Sequence, residues 1–199
     1  MDRQPKLSIA IPIHDMDHAD SFLGRLMRSL EMQTFRDFEI VITKNGKMAE
    51  NTNAAIKKCK GEIIKIMYMD DYFANPHSLE NLVKNFKGGW LAAGCVHDAG
   101  DGNPVNPHLP SYDGIPSDAN TIGSPSVVAF ENKDPLLFDE TMGWLLDVDY
   151  YQNLHKRYGN PTILNDLDIV IGTGEHQMTY KLSHEEKFYE QQYLINKHV

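Results

Sequence analysis

Short apolar runs alternate with amphipathic segments along the first half of the chain, a pattern typical of strands and helices that take turns in a parallel sheet. Residues 7–11, 38–42 and 63–69 predict the first three strands. Between the first two runs, apolar side chains recur at helical spacing, at Phe22, Leu23, Leu26, Met27 and Leu30. The pattern predicts an α/β fold with a mostly parallel central sheet flanked by helices.

Two more helices and a fourth strand follow in this half. Residues 48–59 predict one helix, and the apolar residues Leu79 and Leu82 mark the buried face of the next. Asn75 suits the N-cap of that helix and Pro76 its first position. A strand is then predicted over residues 90–96.

The periodic pattern disappears between residues 97 and 125, where prolines and glycines are interleaved. A loop of this length inside a compact domain is usually functional. Strand and helix patterns return at residues 127–130, 147–158 and 163–171, and a capping-box sequence at 183–186 opens a last helix. We therefore expect one domain over residues 1–182, with a helical tail over 183–199 packed on it.

The net charge of the chain bears on which phosphate-containing ligands it can bind. The 199-residue chain carries 19 Lys and Arg against 28 Asp and Glu, for a formal net charge of -9. A surface this acidic repels a phosphate backbone, so nucleic acid is not an expected partner. A bound diphosphate would need a divalent cation or a few well-placed basic groups beside it.

The cysteines and the apolar runs bear on the compartment. Cys59 and Cys95 are the only cysteines, and neither stands in a disulfide or zinc-binding pattern. The N-terminal residues lack the apolar stretch of a signal peptide, and no window approaches 18 apolar residues. We expect a cytoplasmic protein without a transmembrane segment.

Asp70 and Asp71 stand where the third predicted strand ends. Ligands of open α/β sheets bind at the carboxyl ends of the strands. Carboxylate oxygens suit Mg²⁺ or Mn²⁺, which can bridge the phosphates of a nucleoside diphosphate and neutralise it as it leaves. The alternative is that the pair caps the next helix or lies in a turn, although Asn75 is already available as that cap.

Residues 29–42, SLEMQTFRDFEIVI, closely resemble the "SLxxQTFxDFEIVI" passage of the family-2 GT-A glycosyltransferases. Residues 7–12 are similar to the opening strand of that family, and the resemblance extends from about Leu7 to about Thr179. It implies the GT-A fold and metal-dependent, inverting transfer of a sugar from a nucleoside diphosphate sugar to an acceptor hydroxyl. The implied donor is a UDP-sugar, and the acceptor, whether glycan, lipid-linked or protein, stays open.

The resemblance also implies donor-side residues. Residues 61–71 are similar to the segment "GEyixxxDxDD", but Tyr68 replaces its first Asp, so the metal and diphosphate role carries over only to Asp70 and Asp71. Donor contacts are further implied for Pro12 and His14 after the first strand, and for Lys44 and Asn45 after the second. The family often has a uracil-binding Asp after the second strand, whereas this chain reads Thr43-Lys44-Asn45-Gly46. Lys44 could instead meet a phosphate or a carboxylate-bearing donor, or be a solvated surface lysine.

Residues 146–151, LDVDYY, resemble the family's "xEDxDL" helix start, which implies that Asp147 is the general base. Such a base must take the proton of the attacking hydroxyl. Asp149 is the reserve candidate, and the alternative for Asp147 is an acid that stabilises the first helical turn.

Three further residues match family segments. Ser124 lies in a "GxPS"-like turn on the acceptor side, and Trp144 could stack on a sugar or be a core aromatic. His176 lies in a stretch similar to "HxxQxT/S". There it could be a third metal ligand, a hydrogen-bond donor to a phosphate or a solvated loop residue. Residues 97–125 would then be a lid or acceptor-binding loop.

Two other functions compete with this one. Tyr68 and Lys44, at positions where the family has acids, would suit a degenerate module that binds a nucleotide sugar without transferring it. A phosphohydrolase or nucleotidyltransferase with the same α/β layout is disfavoured, because the chain has neither a D-x-D-x-T motif after its first strand nor a P-loop.

Overall fold

The computed structural model describes residues 3–114 and 118–198. Residues 115–117 of the predicted loop and Val199 of the predicted tail lie outside them. The described chain forms an eight-stranded sheet with helices packed on it. Its strands are β1 (Leu7–Pro12), β2 (Phe38–Thr43), β3 (Ile63–Ile66), β4 (Tyr72–Phe73), β5 (Trp90–Asp98), β6 (Val105–His108), β7 (Val128–Glu131) and β8 (Thr162–Gly172).

Six helices and one 3₁₀ turn connect or cover these strands in the described residues. The helices are α1 (Ala19–Glu31), α2 (Met48–Ile56), α3 (Ser78–Asn85), α4 (Leu146–Tyr158), α5 (Met178–Lys181) and α6 (His184–His198), and the 3₁₀ turn is Pro125–Val127.

The order of the sheet is β2-β1-β3-β7-β5-β8-β4, and β6 pairs with β5 outside this path. β1 pairs in parallel with β2 and β3, and β5 with β8. The other four pairings in the described residues are antiparallel. The α/β class is thus confirmed, with a sheet that is mixed rather than mostly parallel, because a loop without a crossover helix joins β5 to β7.

The core lies on both faces of the sheet. Every residue of β1 and β3 is buried, as expected for strands covered by helices. Lys65 of β3 is the buried basic residue of these two strands, and its side-chain amine donates to the carbonyl oxygens of Ser126, Ile66 and Val128. Burial lowers the pKa of Lys65 to about 7, against the opposing effect of the nearby Asp71 carboxylate.

The strand predicted over residues 63–69 ends at Ile66 as β3, and two further local predictions differ from the structure. α3 begins at Ser78 rather than Pro76, because Asn75 folds its side chain into a turn, where its Oδ1 accepts from the His77 N–H at 2.9 Å. β6 falls inside the predicted loop. Pro107 and Asn106, which has a positive φ, interrupt the strand pattern in the sequence, so the pattern does not predict β6. Such residues are tolerated there because the strand lies at an edge of the sheet.

α6 begins with the predicted capping box. Glu186 N–H donates to Ser183 Oγ at 3.2 Å, and Ser183 N–H donates to Glu186 Oε2 at 2.8 Å. Leu194 of this helix is buried in the main core. Within residues 3–114 and 118–198, none of the helices combines the length and the apolar character that crossing a bilayer requires.

Gly61 gives a test of the packing between β1 and the turn before β3. A β-carbon on Gly61 would lie 2.6 Å from backbone atoms of Leu7 and Ser8. Gly61→Ala should therefore lower the free energy of unfolding by about 2 kcal/mol or more, measured by urea denaturation. The control Gly24→Ala, whose β-carbon would meet only the Arg28 side chain, should raise it by about 0.5–1 kcal/mol; equal effects of both substitutions would contradict the assigned packing.

Candidate functional site

The carboxyl ends of β1, β2 and β3 meet at one edge of the sheet. Pro12 ends β1 in a buried position, and the next N–H, of Ile13, donates to the Thr43 carbonyl at the end of β2 at 2.8 Å. Lys44 and Asn45 follow β2 and are exposed. The Lys44 ammonium lies 2.6 Å from Asp15 Oδ1, in an exposed ion pair.

Asp70 and His176 form a pair at the same edge, although 106 residues separate them in the chain. Asp70 Oδ2 lies 2.8 Å from His176 Nε2, and the two side chains keep 18% and 21% of their surfaces exposed. The Phe22 ring packs on the histidine, with centroids 5.5 Å apart. A carboxylate and an imidazole with remaining access to solvent are thus held together.

Asp71 has the opposite environment. The residue is 2% exposed, and its Oδ1 accepts from Gly172 N–H at 2.8 Å. Its Oδ2 accepts from the hydroxyl of Ser124 at 3.3 Å. Burial raises the pKa of Asp71 well above its ordinary value, and the Asp70 carboxylate adds to this. The two adjacent acids therefore differ: the Asp70 side chain keeps access to solvent beside His176, and the Asp71 side chain is buried.

Arg25 of α1 fixes the backbone beneath this pair, and no sequence pattern distinguished it from the other arginines. Its guanidinium donates to the Asp70 carbonyl at 2.7 Å and lies 2.9 Å from the buried Asp98 carboxylate. It also stacks over the Tyr72 ring, 4.4 Å from the centroid. Arg25 thus links α1, β5 and the turn that carries Asp70.

His14 lies near the same edge and is half-buried. Burial lowers the pKa of its imidazole; the carboxylates of Asp70 and Asp15 oppose this, and the Lys181 ammonium adds to it. The His14 N–H donates to Met69 Sδ at 3.3 Å, so the histidine lies next to the turn that carries Asp70.

A divalent cation fits these residues only in part. Within the described chain, no three His, Cys, Asp or Glu side chains converge to form a complete metal site. Mg²⁺ is commonly held by one or two protein carboxylates together with substrate phosphates and water. Asp70 and His176 could therefore supply the protein ligands to a cation whose coordination a diphosphate completes.

Asp147 occupies the first turn of α4 and is half-buried. Its Oδ1 accepts from Val148 N–H at 2.8 Å and its Oδ2 from the Asn120 amide at 2.7 Å. Burial raises the pKa of Asp147 to about 7, against these hydrogen bonds, and the Glu190 carboxylate raises it further. A carboxylate with a pKa near neutrality suits a general base.

A cavity of about 490 Å³ opens beside Asp147. Both hydrogen-bond partners of Asp147, Asn120 and Val148, line it, together with Tyr112, Ile122 and other residues. Asn120 lies in the loop that lacks periodicity, so the sequence did not single it out.

Tyr68 lies between the end of β3 and the adjacent acids Asp70 and Asp71. Burial raises the pKa of its phenol, and the carboxylates of Asp147, Asp71 and Asp70 raise it further. The Tyr68 N–H donates to Ser126 Oγ at 2.8 Å, which joins the turn after β3 to the segment that carries Ser124.

Trp144 and Asp149 are both engaged by α6. Trp144 is half-buried, and the Lys187 ammonium lies 5.4 Å from the centroid of its indole ring. Asp149 is fully buried, with its Oδ1 2.7 Å from His198 Nε2 and 2.9 Å from Lys197 Nζ. The structure therefore places Asp149 in the contact with α6, while Asp147 is bonded to two residues that line the cavity.

No family model matches the chain, and no curated protein matches it in sequence. Solved structures do match its fold. The chain is similar to S. aureus TarS 1-349 in complex with UDP, at 17% identity and a TM-score of 0.65, over 96% of this chain and 64% of that one. The complex of the same TarS chain with UDP-GlcNAc matches at 16% identity and a TM-score of 0.66, over 96% and 65%.

The mannosyltransferase PcManGT from Pyrobaculum calidifontis, in complex with GDP-Man and Mn²⁺, matches at 13% identity and a TM-score of 0.61, over 89% of this chain and 59% of that one. The chain thus spans less than two thirds of the length of each of these structures. At such identities the likeness establishes the fold alone, and that fold is GT-A, as the sequence predicted.

The raised pKa of Asp147 predicts a pH-dependent stability. Folded protein holds this proton up to about pH 7, whereas the unfolded chain releases it near the ordinary value of 3.8. The free energy of unfolding of the wild type, relative to Asp147→Asn, should therefore fall as pH rises from about 4 to about 7 and stay level above. Urea denaturation across this range measures the difference, with Asp17→Asn as the baseline for removing an exposed carboxylate; a difference that rises with pH would contradict the assignment.

Proposed function

We propose that this protein is an inverting, metal-dependent glycosyltransferase that moves a sugar from a nucleoside diphosphate sugar to an acceptor hydroxyl. The observation that carries the proposal is a short chain of hydrogen bonds between the two groups of acids. The Asn120 amide donates to Asp147 Oδ2 at 2.7 Å and to the Gly123 carbonyl at 3.0 Å, and the hydroxyl of the next residue, Ser124, donates to Asp71 Oδ2 at 3.3 Å. These bonds bring the turn that carries a candidate cation ligand and a candidate base to one region of a GT-A fold, at the sheet edge where open α/β sheets bind ligands.

The donor binds, in this proposal, along the ends of β1 and β2. Pro12, His14, Lys44 and Asn45 lie there, and Lys44 supplies positive charge in a protein of net charge -9. The similar structures carry UDP, UDP-GlcNAc and GDP-Man, which supports a nucleotide-sugar donor. A UDP-sugar is our first choice, with Lys44 near the donor phosphates once it exchanges its partner Asp15 for them.

Asp70 and His176 would hold the cation, Mn²⁺ or Mg²⁺, and PcManGT is seen with Mn²⁺. When bound, the cation neutralises the charge that develops on the leaving diphosphate. Asp71 serves the site indirectly, because its hydrogen bonds to Gly172 and Ser124 fix the turn from which Asp70 projects. This assigns different roles to two acids that the sequence treats alike.

Asp147 would accept the proton of the acceptor hydroxyl. The acceptor enters the cavity lined by Asn120 and Val148, and the Asn120 amide holds one carboxylate oxygen in place. Removal of this proton as the hydroxyl attacks the anomeric carbon requires a base within hydrogen-bond reach. The predicted acceptor contacts of Ser124 and Trp144 stay predictions.

Asp147→Asn tests the base. The amide keeps the shape but cannot accept the proton, so kcat should fall by about 10²–10⁴-fold while the donor Kd stays within about threefold. Transfer is measured with a panel of nucleotide sugars and acceptors, and binding by calorimetry. A variant with unchanged kcat would contradict the role, and a product with retained anomeric configuration, read by NMR, would contradict inversion.

Asp70→Asn and His176→Gln test the cation ligands. Each should raise the Mn²⁺ concentration for half-maximal turnover by about tenfold or more, since each removes or weakens one of two protein ligands. Asp134→Asn, an exposed acid paired with Arg157, serves as the control and should not change it. Nucleotide binding that persists without metal and without any turnover would favour the degenerate binding module instead.

A further inference from the structure

The carboxylate of Glu190, on α6, is buried against the segment that leads into α4. It accepts three backbone hydrogen bonds. Gly143 N–H donates to Oε1 at 2.8 Å, and the N–H groups of Trp144 and Leu145 donate to Oε2 at 2.8 and 2.9 Å. One side chain from the end of the chain thus satisfies three consecutive backbone donors about 45 residues earlier.

These donors need an outside partner. The first N–H groups of a helix have no acceptor within the helix, and the N-cap side chain usually supplies one. The N-cap of α4 is Leu145, which has no side-chain acceptor. A carboxylate is a strong acceptor there, because its charge also interacts favourably with the helix dipole. Of the three donors bound by Glu190, only the Leu145 N–H belongs to this set, and the Gly143 and Trp144 N–H groups lie just before it. Glu190 therefore caps α4 at its N-cap residue and also fixes the segment that leads into the helix.

Further contacts hold α6 on this part of the molecule. Lys197 and His198 both contact Asp149, in the first turn of α4. Tyr193 donates its hydroxyl hydrogen to Asp139 at 2.9 Å, and Lys197 lies 2.6 Å from the same carboxylate. The segment before α4 and its first turn are thus held from one side by a single helix, and Asp147 lies between the contacted residues.

We propose that Glu190 is a positioning residue for Asp147: it holds the start of α4 so that the Asp147 carboxylate stays on Asn120, at the border of the cavity. The proposal rests on the function assigned to Asp147 above. Two effects of Glu190 follow from the geometry. Its hydrogen bonds fix the backbone on which Asp147 is carried, and its negative charge adds to the field at that carboxylate.

The charged and titratable groups around Asp147 come from several elements. Glu190 faces it from α6, Tyr68 from the turn after β3, and Tyr151 from α4 itself. Asn120 is the neutral partner from the long loop. Burial is the main cause of the raised pKa of Asp147, and the Glu190 carboxylate raises it further. Loss of the Glu190 charge should therefore ease ionisation of Asp147.

Glu190→Gln tests the proposal, with Glu185→Gln as the matched control, because Glu185 is an exposed acid on the same helix. Titration of the Asp147 carboxyl is followed by ¹³C NMR, assigned by comparison with Asp147→Asn. We expect the Asp147 midpoint to move to lower pH in Glu190→Gln and to stay in place in Glu185→Gln. In transfer assays, kcat of Glu190→Gln should fall by about tenfold or more while the donor KM stays within about twofold.

The two readouts separate the inference from the proposed function. An unchanged midpoint together with unchanged kcat overturns the positioning role, and so does a loss that Glu185→Gln shares. If the wild type shows no turnover but the Asp147 midpoint still moves in Glu190→Gln, the proposed function is wrong and the link between Glu190 and Asp147 is supported. If Glu190→Gln does not fold, Glu190→Asp keeps the charge but shortens the reach; a folded Glu190→Asp with wild-type kcat overturns the proposal.

Discussion

The site depends on a close contact between the end of β8 and the turn after β3. The buried carboxylate of Asp71 accepts from Gly172 N–H, and a β-carbon on Gly172 would lie 2.5 Å from the Asp70 carbonyl oxygen. Because the chain continues from Gly172 to His176, this contact determines where the histidine meets Asp70. A larger residue at Gly172 would force the two segments apart and separate the pair.

Buried charge is the second constraint. The interior holds Lys65, Asp71 and Asp149 in a protein with a net charge of -9, and each has hydrogen-bond or ionic partners within the fold. Burying a charge without partners is costly, so such groups are tied to backbone donors, backbone acceptors or opposite charges. Among the candidate functional acids, Asp70 and Asp147 keep part of their surface exposed. This division separates the structural carboxylates from the candidate functional ones.

Long-range polar contacts, more than the apolar core, orient the candidate residues. Arg25 holds the Asp70 backbone, Asn120 holds the Asp147 carboxylate, and Glu190 caps the helix that carries it. Each contact joins segments that the sheet or α6 brings together. The precision of the site therefore depends on the complete fold, including its last helix.

The sequence by itself determined the α/β class, most of the strands and helices, the capping box of α6 and the segments that carry Asp70 and Asp147, because periodicity and capping are local properties. Only the tertiary structure decided which of Asp70 and Asp71 stays accessible to solvent, how His176 meets Asp70 and that Glu190 caps α4. It also decided the mixed sheet and the edge strand β6. These outcomes rest on contacts between residues far apart in the chain, which leave no periodic pattern in the sequence.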